Sequence, residues 1–135
     1  MCEDRYIFEM PIKVRDYEVD SQGIVNNANY LHYLEMTRHD FCEEAGMTFR
    51  EMQEQGVDPV VRKIEIEYIS SLTLGETMVS RLWMERNGAR FVFHQDIFNA
   101  ATGRPVVKAL VTIVCLENGR LTRGDVLAEA FKSYL

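Results

Sequence analysis

The sequence predicts an α+β domain, with one long helix packed on an antiparallel sheet. Three patterns point there. Several runs alternate apolar and polar residues at the period of a strand. One run, Asn27 to Ala45, repeats Tyr30, Leu34, Thr37, Phe41 and Ala45 at helical spacings. Turn signals separate the later runs closely enough for hairpins. The 135 residues suit a single domain, 1–135, with its own core.

Tyr6 to Asp16 reads as the first strand. Tyr6, Phe8, Met10, Ile12 and Val14 share one face, and Glu9, Lys13 and Arg15 the other. Pro11 suits an edge position or a bulge. In the helix Asn27 to Ala45, Asn26 or Asn27 caps the start and Gly46 ends the run. Thr48 and Glu51 have capping-box spacing for a short helix, Thr48 to Gln55, stopped by Gly56.

Four strands in meander follow. Val60 to Ile69 alternates through Ile64, Ile66 and Tyr68. Leu72 to Gly75 turns into Thr77 to Arg86, which carries Met78, Leu82, Trp83 and Met84. Asn87-Gly88 is a hairpin signal ahead of Phe91, Phe93, Gln95 and Ile97. After the turn Ala101-Thr102-Gly103, Val106 to Leu116 is apolar on both faces, as a covered central strand should be. Glu117-Asn118-Gly119 turns again. Asp125 to Tyr134 reads as a terminal helix capped by Asp125, with Leu127, Ala130, Phe131 and Tyr134 in a stripe.

Composition excludes some function classes. No segment is long and apolar enough to span a bilayer, so no membrane partner is expected. The start, Met1-Cys2-Glu3-Asp4-Arg5, has no apolar signal core, and a cytoplasmic location is the expectation. A net charge of −6 opposes nucleic acid as a partner. Cys2, Cys42 and Cys115 are too far apart for metal or redox motifs and read as free thiols. His32, His39 and His94 form no recognisable metal set.

The densest chemistry lies in Tyr17 to Tyr30. Asp20 stands on a turn, with Gly23, Val25, Asn26 and Asn27 leading into the helix. A helix start offers unpaired N–H groups and the positive end of the dipole. A carboxylate across a small gap from such donors suits hydrolysis of an activated carbonyl: one group attacks or activates water, the other holds the oxyanion. The simpler readings are an Asx-turn for Asp20, capping for the asparagines and turn geometry for Gly23.

Asp20, Gly23, Val25, Asn26-Asn27 and Tyr30 resemble, in order and spacing, the signature of the hotdog-fold thioesterases of the 4-hydroxybenzoyl-CoA thioesterase family. The resemblance implies a five- or six-stranded antiparallel sheet wrapped around one central helix. It implies pairing into homodimers or dimer-of-dimers homotetramers, with the site between subunits. It implies hydrolysis of an acyl or aroyl thioester to free acid and coenzyme A, with no cofactor, since coenzyme A is part of the substrate. Asp20 becomes the general base or nucleophile, and the Asn27 backbone N–H the oxyanion donor. Gly23, Val25, Asn26 and Tyr30 fall on the substrate-binding segment. Several bacterial members carry a histidine where this chain has Asn27, and an amide cannot relay a proton as imidazole does. The family also serves acyl-carrier-protein substrates. A non-catalytic acyl-thioester-binding protein is the other alternative. A hydratase would need a histidine at the helix start, which is lacking.

Glu35 is the rival carboxylate, at the helical offset used by a second branch of hotdog thioesterases; pairing with Arg38 or His39 is its simpler reading. Arg62, Lys63, Arg86, Arg90, Arg104 and Lys108 are candidates for the coenzyme A phosphates, with Arg86 and Arg90 singled out beside a hairpin. Tyr30, Leu31, Leu34, Phe91 and Phe93 either line an acyl tunnel or fill the core.

Overall fold

The computed structural model describes residues 5–135; Cys2 lies outside them. The chain runs β1 (Phe8–Lys13), a 3-10 turn (Asp16–Glu18), α1 (Asn27–Glu44), α2 (Phe49–Glu54), β2 (Val57–Tyr68), β3 (Thr77–Asn87), β4 (Arg90–Asn99), β5 (Pro105–Glu117), β6 (Arg120–Leu121) and α3 (Asp125–Ala130). A second 3-10 turn, Lys132–Tyr134, closes it.

One six-stranded sheet has the order β1-β3-β4-β5-β2, with β6 beside β5. The strand pairs are antiparallel. The expected four-strand meander is therefore corrected. Only β3, β4 and β5 meander, while β2 takes the far edge next to β5. The helical segment carries the chain across the sheet face, so the strand after it joins the opposite edge from β1. Pro11 sits in an edge strand, where a missing N–H is tolerated.

Further differences are local. In β2 the alternating set divides: Ile66 packs on the core, while Ile64 and Tyr68 stay exposed at the sheet border. The hairpin loop after β3 is Gly88-Ala89, one residue later than Asn87-Gly88, since Asn87 still pairs with Arg90. Gly124 in the left-handed region caps α3, not Asp125. The Asp125 carboxylate is instead bound by Arg86, 2.7 Å away. β5 is covered through most of its length, but Lys108 remains exposed and Leu110 half-buried.

α1 lies on the sheet through Tyr30, Tyr33, Leu34, Thr37, Arg38, Phe41 and Cys42. Apolar side chains gather in two clusters. One holds Phe41, Leu82, Phe91 and Phe93 with α2 and α3 residues. The other holds Val25, Tyr30, Tyr33, Leu34 and Leu72 around the helix start. Between them lies a polar rung. Thr37 Oγ1 meets Ser80 Oγ at 2.7 Å, Gln95 Nε2 donates to the Leu34 carbonyl at 3.0 Å, and Arg38 Nη1 donates to Gln95 Oε1 at 3.0 Å. Buried polar groups are tolerated only when paired in this way.

Gly124 and Gly119 separate two causes of glycine use. Both have positive φ, but a Cβ at Gly124 would lie 2.6 Å from the Phe91 ring, while one at Gly119 would meet nothing within 4 Å. Gly124→Ala should therefore cost at least about 1 kcal/mol more than Gly119→Ala in denaturant unfolding. Equal losses would show that α3 is not seated on Phe91.

Candidate active site

The loop from β1 into α1 is short and closed by backbone bonds. Val19 bridges Val25, and Ile24 bridges Thr73. Asp20 N donates to Ile24 O at 2.9 Å, and Gly23 N donates to Asp20 O at 2.9 Å. The resulting turn needs a φ of +81° at Gly23. A Cβ there would meet nothing within 4 Å, so conformation rather than crowding within one protomer calls for glycine. Asp20 Oδ1 accepts from Gln22 N at 2.8 Å, which is an Asx-turn. That turn uses one carboxylate oxygen and leaves Oδ2 to other partners.

Glu18 joins this loop to the helix. Its carbonyl accepts from Asn26 N at 3.0 Å and Asn29 Nδ2 at 2.8 Å. Its Oε1 accepts from Arg15 N and from the Tyr33 hydroxyl, each at 2.8 Å. Burial, and then the Glu18 carboxylate, push the Tyr33 phenol well above its ordinary range. Val25 N donates to Leu72 O, and Leu72 N donates to the Tyr30 hydroxyl at 3.1 Å, so the loop after β2 braces the same region. Glu18, Asn29 and Tyr33 escape a motif search because each acts through a partner distant in sequence. The one local sign is the acidic residue three positions after Arg15, a capping-type spacing.

The helix start is now defined. Asn26 is the cap, its side chain accepting from Ala28 N at 2.9 Å, and its carbonyl takes Asn29 N. Asn27 is the first helical residue, and its N–H has no intrahelical partner. One rigid loop thus holds the Asp20 carboxylate and leads directly to that N–H at the positive end of an 18-residue helix.

A trough runs from this point. Ile64, Ile66 and Tyr68 of β2 pair with Val111, Ala109 and Val107, and directly paired residues point to the same side. Those partners are buried in the core, so the three β2 side chains face the helix layer. On α1 the Tyr30 ring packs on Tyr68 with centroids 5.8 Å apart, and Asn27, Leu31 and Glu35 form the exposed helical stripe next to it, with Arg38 buried at its end. The Tyr68 hydroxyl donates to Asn27 O at 3.3 Å and ties the walls together at one end. Exposures of 37% for Leu31, 37% for Ile64 and 46% for Tyr68 show that the single chain leaves the trough open.

Other candidates fall elsewhere. Glu35 is exposed, with His39 3.9 Å away, and Arg38 is buried rather than paired with it. Arg86 donates to Gly88 O, Arg123 O and Asp125, a clamp on α3. Arg90 is exposed at the start of β4. Both lie at the far end of β3 from the Thr73 loop that braces Ile24, so about 30 Å of strand separates them from Asp20 within one protomer. Arg104 is at the site's own end, donating to Ser71 O. Lys63 pairs with Glu65. Tyr30, Leu34, Phe91 and Phe93 are core, split between the two clusters; of that strip only Leu31 is exposed. His94 stacks on Trp83 on the outer sheet face, with Nε2 2.5 Å from Glu85. Cys42 and Cys115 are buried free thiols, and burial pushes Cys42 up to about 12. Among the described residues no three His, Cys, Asp or Glu side chains gather as a metal site.

A sheet curled around one long helix, with an aspartate loop at the helix start, is the hotdog arrangement. Residues 14–132 match the thioesterase-like superfamily, and the chain belongs to it. It is 36% identical over 108 residues to the long-chain acyl-CoA thioesterase FadM of Escherichia coli, covering 78% of this chain and 80% of that one. It is 32% identical over 111 residues to the acyl-acyl carrier protein thioesterase ATL3 of Arabidopsis thaliana, covering 82% of this chain. The match spans 58% of the length of ATL3 and 59% of that of its relative ATL2. The crystal structure of the Escherichia coli protein YbaW superposes with a TM-score of 0.83 at 29% identity, over 93% of this chain and 97% of that one.

Glu76 supports the bracing loop. It accepts from Thr73 N at 2.7 Å and Asn99 Nδ2 at 3.1 Å. The Thr73 main-chain bond, foremost, holds its carboxyl below the ordinary range. A lowered folded pKa stabilises fully above the unfolded value of about 4.3, and that stabilisation is lost as pH falls through the lower folded value. Glu76→Gln should therefore melt lower at neutral pH and show a shallower fall in melting temperature between about pH 5 and 3. Parallel curves for the two proteins would dissociate Glu76 from acid stability.

Proposed function

We propose that this protein hydrolyses acyl-CoA thioesters to a free acid and coenzyme A. One observation carries the reading: a single hydrogen-bonded loop holds the Asp20 carboxylate and delivers the chain to the unpaired Asn27 N–H. Thioesters are activated acyl donors, so a lone carboxylate suffices. Asp20 either attacks the carbonyl carbon, giving a mixed anhydride that water then cleaves, or removes a proton from the attacking water. In both routes the carbonyl oxygen gains charge and the Asn27 N–H, with the helix dipole, stabilises it. The thiolate of coenzyme A leaves and takes up a proton.

The acyl group lies along the trough between α1 and β2. We place the complete site between two copies of the chain, because β2 is an edge strand and the trough is open on the single protomer. A second copy pairing through β2 would roof it, in a homodimer or a tetramer of two such pairs. Arg104 is better placed than Arg86 or Arg90 to meet the coenzyme A phosphates of its own protomer. Gly23, Val25, Asn26 and Tyr30 hold the loop in shape; Glu35 stands beside the trough as an auxiliary acid or base.

Hydrolysis of a thioester on an acyl carrier protein is the second reading, favoured by the likeness to ATL3 and ATL2, both named acyl-acyl carrier protein thioesterases. The net charge of −6 opposes docking of an acidic carrier.

Thiol release from a panel of acyl- and aroyl-CoA esters tests the activity. Asp20→Asn should lower kcat by at least about a hundredfold, the usual scale for a lost acid–base group. Turnover within a few-fold of the unaltered protein would remove Asp20 from the chemistry. Sedimentation should give a dimer or larger species, and a fully active monomer would refute the shared site. Faster release from acyl carrier protein than from coenzyme A would select the second reading, and saturable binding without turnover would leave a binding protein.

A further inference from the structure

Arg38 is the unexplained charge of the buried helix face. Only 6% of it is exposed. Among the described residues its guanidinium makes one hydrogen bond, from Nη1 to the neutral amide oxygen of Gln95, and no carboxylate stands within ion-pair distance. Gln95 is itself fixed by donating to Leu34 O. A guanidinium carries five N–H donors. Gln95 takes one, and among the described residues no buried side-chain nitrogen or oxygen is left unpaired, so the remaining donors reach accessible space. Glu35, one turn earlier, acts on it only at longer range, being exposed beside His39.

The trough gives those donors a use. Arg38 closes the helix wall that begins at Asn27 and passes Leu31 and Glu35. Beyond it, Arg38, Cys42 and Pro59 help to enclose an apolar cavity of about 20 Å³, room for one water. The Gln95 amide that accepts from Arg38 donates to the Leu34 carbonyl, which points along the helix toward Arg38, so the guanidinium lies between the levels of Leu34 and Arg38. That is roughly 10 to 17 Å along the axis from the Asn27 N–H at 1.5 Å per residue.

We propose that Arg38 makes the site select acyl chains that carry an oxygen acceptor, above all a carboxylate, roughly 10 to 20 Å from the thioester carbon. The inference rests on the hydrolase reading and the trough described above.

The probes are matched pairs of acyl-CoA esters of increasing length, one ending in methyl and one in carboxylate. The ratio of kcat/KM, acid over methyl, should peak at one intermediate length by roughly ten- to a hundredfold, the scale of a hydrogen bond to a charged group. Arg38→Met should collapse that ratio to one or below. A flat ratio across the ladder, with methyl-ended esters turned over, overturns the inference and leaves the hydrolase reading intact. A peak that persists in Arg38→Met also overturns it. If that variant does not fold, the ladder on the unaltered protein decides alone. No hydrolysis of any ester would overturn the hydrolase reading itself, and this inference with it.

Discussion

The hydrogen bonds received by Glu18 hold the candidate site together. Two reach its carbonyl and two its carboxylate, from Arg15, Asn26, Asn29 and Tyr33. They fix the end of the 3-10 turn against the first two turns of α1. With that junction fixed, Asn26 must cap the helix, Ala28 and Asn29 spend their N–H groups on it, and the Asn27 N–H remains. The Asp20 turn is strung between Val19 and Val25 and inherits the same rigidity. Catalytic groups gain from being placed before substrate arrives, since no reorganisation is needed at the moment of reaction.

The sheet divides the work along its length. At one end Phe41, Phe91, Phe93 and Phe131 fill the space under α1, and the Phe41 and Phe131 rings stack at 5.7 Å. Arg86 pins α3 over that cluster. The other end carries smaller apolar groups and the tyrosines whose hydroxyls brace the loops. The polar rung of Thr37, Ser80, Gln95 and Arg38 lies between. The aromatic packing and the candidate site therefore draw on different parts of one core.

What the sequence disclosed and what it hid follow a physical line. α1 was legible because its signals are local: an Asn cap, a stripe at spacings of three and four, and a glycine stop. The capping box at Thr48 and Glu51 formed as read. The aspartate loop was legible because turn, glycine and helix start occur within eleven residues. Asp125 misled, because a cap and the partner of Arg86 look alike until Arg86 is placed 39 residues away. The position of β2 was hidden, since strand order depends on where α1 lays the chain down. Glu18 and Arg38 were hidden for the same reason: their meaning lies in Tyr33, Asn29 and Gln95, far along the chain.

A register shift between Val61 and Lys63 interrupts β2. An exposed edge strand with Val60, Val61 and Ile64 on its surface is a template for open-ended aggregation. The bulge kinks that template, so only the stretch beyond it, Ile64 to Tyr68, presents a straight ladder. Two copies meeting self-complementarily through so short a segment would each spend their β2 border, and a pair so closed would offer no β2 ladder to a third.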